Sequence, residues 1–308
     1  MKHNILIGCV SLVASVFILG CDSSSSDTTE NVDTGIGYYV DSAVEGVEYV
    51  CGTQVGSTDA NGKFIFEKGK DCTFSVADIT LRKVESTTLV DGEKVVEDNL
   101  QVAKFLQSID VDGDASNGIT LTQELKSTLK TALESGVADK SKILTDETQL
   151  QALVTNLQAN LATFKGKIKT DQEVQEHLDE EAIKNIKNLL DGKTFYIAYI
   201  DQDPDDGDYV GKTVVEKLTY QADENGMTST YLRIKGPDDT ETSPITLIPT
   251  GFKFVDEDGE RTWEITGETE DYLAILIDKK TEIKIYKSID ALKAANPDTL
   301  GDWAPTQN

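Results

Sequence analysis

Gly192-Lys193-Thr194-Phe195-Tyr196-Ile197-Ala198-Tyr199-Ile200 is the stretch at which a helical apolar period stops and an aromatic, β-branched run begins. Val, Ile, Tyr, Phe and Thr suit a pleated, half-buried surface, so Thr194 to Ile200 reads as a strand. Similar runs follow it: Val214 to Tyr220, Ser229 to Ile234, Ile245 to Ile248, Gly251 to Val255, Arg261 to Thr266, Tyr272 to Ile277 and Glu282 to Tyr286. Turn residues separate them at near-regular spacing, as in Glu224-Asn225-Gly226, Gly236-Pro237-Asp238 and Glu257-Asp258-Gly259. About eight short sequential strands predict an antiparallel meander over the block 192–308, either a sandwich or a small up-and-down barrel. Ser288 to Ala294 predicts one or two helical turns, with Trp303 close behind.

Upstream, from residue 97 to 191, apolar residues recur with the helical period. Leu100, Ala103, Phe105-Leu106 and Ile109 form one stripe; Leu121, Leu125, Leu129 and Leu133 form a second at i, i+4 spacing. Leu150, Leu153-Val154, Leu157 and Leu161 form a third, and Val174, Leu178, Ile183, Ile186 and Leu189-Leu190 a fourth. Thr170 followed by Glu173 places a capping box ahead of the last one. Four helices with short connections predict a helical middle, bundled or packed on the sheets.

Residues 37–96 read as strands again: Val44 to Cys51, Lys63 to Phe66, Cys72 to Leu81 and Thr88 to Val95. Asp59-Ala60-Asn61-Gly62 is a turn signal, and Asp91-Gly92 predicts a hairpin tip between Leu89-Val90 and Val95-Val96. The fold class is therefore α+β and multidomain: a β-module, a helical middle and a C-terminal β-domain.

The N-terminal residues carry an address. Lys2, the apolar run Ile5 to Leu19 and Gly20 have the grammar of a signal peptide over residues 1–20. An aliphatic residue three before a cysteine, Ile18 before Cys21, makes it a lipoprotein signal, with Cys21 the lipidated residue. Residues 21–36, rich in Ser, Thr, Asp and Glu, read as a disordered tether. Lipidation at Cys21 predicts a membrane partner and a place in the bacterial cell envelope, with the outer membrane expected. Asp22 matches an inner-membrane retention signal of enteric bacteria, which keeps both membranes open.

With Cys9 in the signal run and Cys21 lipidated, Cys51 and Cys72 are left as a disulfide pair in an exported chain. A zinc site of Cys and His ligands is disfavoured because the mature chain holds one histidine, His177, in a charged helical stretch. There it reads as a surface histidine.

Ala43-Val44-Glu45-Gly46-Val47 with Gly56-Ser57-Thr58-Asp59-Ala60-Asn61-Gly62-Lys63-Phe64 resembles the opening of carboxypeptidase-regulatory-like and Cna-B-type β-sandwich modules. The resemblance covers about 30 residues; it implies an Ig-like or prealbumin-like sandwich and no activity. No Lys/Asn pair for an isopeptide crosslink can be assigned. Asn99 to Ile119 resembles a segment that recurs in uncharacterised lipoproteins of Gram-negative bacteria, with Asp110-Val111-Asp112-Gly113-Asp114 at its centre. The C-terminal strand spacing is compatible with a lipocalin-like barrel.

Formal net charge is −26, so nucleic acid is excluded as a partner: it would require Lys/Arg patches. Two acidic loops are the candidate chemistry. Asp110, Asp112, Asp114 and Asn117 alternate oxygen ligands on a tight loop, as Ca²⁺ requires. Glycine at the fourth position and Leu121 at the twelfth depart from an EF-hand, and the same residues also suit a helix-linking turn. Asp201-Gln202-Asp203-Pro204-Asp205-Asp206-Gly207-Asp208 could likewise hold a cation or stay a solvated turn. No phosphate loop, dinucleotide fingerprint or H-E-x-x-H is present.

The expectation is a non-enzymatic, lipid-anchored binding or adhesion-type protein, with Ca²⁺ the candidate stiffening ion and a protein, glycan or small molecule as partner. The alternative is a periplasm-facing carrier that holds a small apolar ligand in the C-terminal domain.

Overall fold

The computed structural model describes residues 32–305 apart from 203, 225, 257 and 258, so the signal sequence, Cys21 and the tether through residue 31 lie outside the described residues. The first strand, β1 (Thr34–Val40), starts inside the stretch expected to be tether. It is followed by β2 (Val44–Glu45), β3 (Glu48–Cys51), β4 (Gln54–Ser57), β5 (Lys63–Glu67), β6 (Cys72–Val76), β7 (Ile79–Val84) and β8 (Glu93–Val96). One sheet has the order β5-β1-β8; the other has the order β4-β3-β6-β7.

The expected hairpin at Asp91-Gly92 is corrected. Leu89 and Val90 form no strand, and β8 lies parallel to β1, with Gly37 opposite Glu93. The turn chemistry is used otherwise: Asp91 accepts the amide of Ile36, and the Gly92 amide donates to the Ile36 carbonyl. Two expected strands are also divided. Gly46-Val47 separates β2 from β3, and Ala77-Asp78, both at positive φ, make the tight turn between β6 and β7. Positive φ at both central residues matches the twist of a hairpin, and here it is reached without glycine.

Phe64, Phe66 and Phe74 point into one core with Tyr39; the Phe64 and Phe74 rings stand edge to face at 4.9 Å. Cys51 and Cys72 lie directly opposite each other on β3 and β6 and form a disulfide, as expected from the cysteine pattern.

The helical middle comprises α1 (Leu100–Ser108), a short strand β9 (Ile119–Thr120) paired with β2, then α2 (Gln123–Glu134), α3 (Glu147–Asn160) and α4 (Asp171–Leu190). Asn99, Thr122, Asp146 and Thr170 cap the four helices through their side-chain oxygens. The Thr170–Glu173 capping box forms as the sequence predicts. Buried apolar residues of the two sheets and of α1, α2 and α3 belong to a single cluster that runs from Tyr39 to Phe164.

The C-terminal block is a closed eight-stranded antiparallel barrel, which resolves the choice between sandwich and barrel. Its strands are β10 (Thr194–Ile200), β11 (Thr213–Asp223), β12 (Gly226–Lys235), β13 (Thr240–Ile248), β14 (Gly251–Asp256), β15 (Gly259–Glu268), β16 (Tyr272–Ile277) and β17 (Thr281–Tyr286). Closure comes from β10 against β17, where Tyr196 pairs with Tyr286. Two short helices follow, α5 (Ile289–Ala295) and α6 (Pro297–Leu300). Leu292 and Leu300 bury the outward face of β10 and β11 around Tyr196 and Val215.

Candidate functional site

Alternation along the barrel strands sends one residue in two inward. At the end where β10 begins, these residues are apolar and tightly packed: Phe195, Tyr220, Phe252, Leu273 and Ile285 are at most 2 % exposed. Leu190, from the last turn of α4, joins them and is fully buried, with Ile186 and Leu189 beside it. This end is the floor.

Toward the opposite end the filling stops. A cavity of about 710 Å³ opens there, walled by Tyr220, Tyr231, Phe252, Phe254 and Trp263. Trp263 lies 5.5 Å from the Phe252 ring and 5.8 Å from the Phe254 ring, and Tyr220 meets Phe252 edge to face at 5.5 Å. Aromatic rings share its lining about evenly with carboxylates and hydroxyls, and the mouth of a barrel is a preferred place for a ligand site.

The polar groups of this cavity are Glu216, Glu241, Asp256, Ser229 and Ser243. Glu216 accepts a hydrogen bond from the Tyr199 hydroxyl and faces the Arg233 guanidinium, whose Nη2 also meets Asp239 at 3.3 Å. Burial pushes the Glu216 carboxyl above its ordinary range, against the hydrogen bond from Tyr199 and the charge of Arg233. Tyr231 donates to Asp239, and burial with that carboxylate raises its phenol to about 12. Arg261 is shared by Asp256 and Asp278, at 3.0 and 3.2 Å. Glu241 accepts only the Ser243 hydroxyl among the described contacts.

The second acidic loop joins β10 to β11, at the open end of the barrel. Asp201 is 3 % exposed, and its backbone exchanges hydrogen bonds with Lys212 and Gly211, which closes the loop at its base. Pro204–Tyr209 forms 3₁₀ turns, with Gly207 at φ 56°. Asp203 lies outside the described residues.

The Asp110 loop lies between α1 and β9. Asp112 accepts the Asp114 amide and the Asn117 side-chain amide, and Asp114 accepts both the amide and the hydroxyl of Ser116. Asp110 is fully buried and accepts the Thr120 amide through Oδ1. Burial raises its carboxyl to about 6. Among the described residues, no group of three or more His, Cys, Asp or Glu is arranged to hold a metal ion.

One cluster is not visible in the sequence. Asp41, between β1 and β2, is buried beside Tyr39, Glu97 and Gln107, and His177 of α4 closes over it. The expectation of a surface histidine is corrected: its side chain is 11 % exposed, and its buried Nε2 has no hydrogen-bond partner among the described residues. The reason is the face it occupies, since α4 turns that side toward the β1–β2 connection. Burial pushes the Asp41 carboxyl to about 7, against hydrogen bonding from Gln107, and it holds His177 below its ordinary value.

Comparison with protein-family models, curated proteins and solved structures finds no match to this chain, so the functional reading rests on the geometry just described.

Proposed function

We propose that this chain is a lipid-anchored binding protein of the bacterial cell envelope whose C-terminal barrel receives a small amphipathic molecule. One observation carries the reading: the barrel is packed solid at the α4 end and left open, over about 710 Å³, at the other. Interiors otherwise pack to the density of organic crystals, so aromatic walls facing an unfilled space suit an apolar body that would supply the missing contacts. The role is binding without catalysis. In this reading the disulfide-bearing β-module is a sandwich-type stalk.

The test uses the mature chain and a neutral fluorescent dye, N-phenyl-1-naphthylamine. Saturable dye binding that is lost in Ser243→Phe, which fills the cavity, supports the reading, provided the variant melts as the parent does. Saturable binding that survives cavity filling would place the dye elsewhere and remove the barrel from the proposal. Anchoring is tested separately: Cys21→Ser should move the protein from the membrane fraction to the soluble one.

A further inference from the structure

We propose that the ligand taken by the barrel cavity is an organic cation, an ammonium group carried on an aromatic or aliphatic body; this rests on the binding reading above. The charged residues that line the cavity are Glu216, Glu241 and Asp256, with no lysine or arginine among them. Two guanidinium groups approach the same end, and each is already shared between two carboxylates: Arg233 by Glu216 and Asp239, Arg261 by Asp256 and Asp278. These two guanidinium groups thus meet four carboxylates, and Glu241, exposed, accepts the Ser243 hydroxyl among the described contacts.

Strand direction places charges of both signs around the opening, so the carboxylate excess belongs to the lining itself. The β10–β11, β12–β13 and β16–β17 connections open at the cavity end, with Asp208 and Asp238 exposed there, Asp201 buried at the base of its loop, and Lys212, Lys235, Lys279 and Lys280 at the same end. A cleft lined by one sign of charge between low-dielectric walls concentrates the opposite charge.

The walls supply the second component. An ammonium over the face of tryptophan or tyrosine is held by the ring quadrupole, more strongly once it is desolvated. Trp263, Phe254 and Tyr231 border the same space as Glu216 and Glu241. An anion entering it would meet carboxylates already engaged with the two guanidinium groups. A neutral ligand gains the aromatic contacts and nothing from the carboxylates.

The experiment titrates the mature chain carrying Trp303→Phe with 2-phenylethylammonium, 2-phenylethanol and phenylacetate. The chain has two tryptophans, so Trp263 becomes the sole indole reporter of the cavity. The ammonium is expected to bind at least about tenfold more tightly than the alcohol, and phenylacetate weakest. Glu241→Gln, a rim substitution, should weaken the ammonium several-fold and leave the alcohol unchanged, with an unaltered melt. If the three bind alike, if phenylacetate binds tightest, or if Glu241→Gln changes nothing, the charge assignment falls while dye binding keeps the cavity reading. Absence of binding by all three and by the neutral dye would remove both.

Discussion

Oδ1 of Asp41 stands 3.5 Å from Nε2 of His177, a contact between the β1–β2 connection and the middle of α4. It ties the disulfide-bearing module to the helix whose last turn closes the barrel floor. Neither group gains a full countercharge: burial favours the neutral form of each.

That relationship fixes a pH dependence. The unfolded chain releases the Asp41 proton near pH 4, whereas the folded chain keeps it to about 7. Stability from Asp41 is therefore fully present below about pH 4 and falls as pH rises through 7. Glu97, also raised by burial, acts in the same sense, while the lowered His177 adds stability as pH rises toward its unfolded value of about 6.5. Asp41→Asn should flatten the decline and raise stability at pH 8 by on the order of 1–3 kcal/mol, with little change at pH 4. Urea titrations at the two pH values check it, and an equal shift at both would assign the effect to packing instead.

The Cys51–Cys72 bridge spans a separation of 21 residues within one sheet, with both sulfurs buried. In the chain-entropy model a loop of that size contributes about 3 kcal/mol. Reducing the bridge, or replacing both cysteines by alanine, should lower the stability of the N-terminal region by about that amount. Denaturation followed by amide exchange region by region would show whether the barrel is spared.

Gly62 ends the Asp59-Ala60-Asn61-Gly62 turn at φ +74°, and a Cβ there would meet the Tyr39 carbonyl oxygen at 2.2 Å. Asp59 meanwhile accepts the amides of Asn61 and Lys63. Gly62→Ala combines left-handed strain with a backbone clash and should cost more than about 2 kcal/mol, whereas Asn61→Ala should cost well under 1. Comparative thermal melts of the two variants decide the point.

Leu190 is fully buried where α4 meets the barrel floor. Leu190→Ala should destabilise by about 2–5 kcal/mol through lost contacts and the void it leaves. Because the cavity lies toward the other end, ligand affinity in the folded variant should stay within about twofold of the parent. Isothermal titration with the dye measures this; a large loss would mean that the floor and the cavity are coupled.

Much of this fold was legible locally. The aliphatic stripes, the Thr170–Glu173 box and the cysteine pair each depend on residues a few positions apart or on a count, and each has its place in the structure. The break between helix and strand at Gly192 is of the same kind. The sequence by itself determined the four helices of the middle, the strands of the C-terminal block and the charge, because those follow from period, propensity and composition; β1 and β9 escaped it.

Tertiary structure alone decided the rest. Alternating strands read the same in a sandwich and in a barrel; only the pairing of β10 with β17 closes the ring. Asp91-Gly92 has the chemistry of a hairpin tip, yet β8 found a parallel partner in β1. Asp41, Glu97 and His177 look like ordinary polar residues until long-range packing removes water from them, and the carboxylates of the cavity converge from β11, β13 and β14. Burial and convergence are properties of contacts between residues distant in the chain, and no local period encodes them.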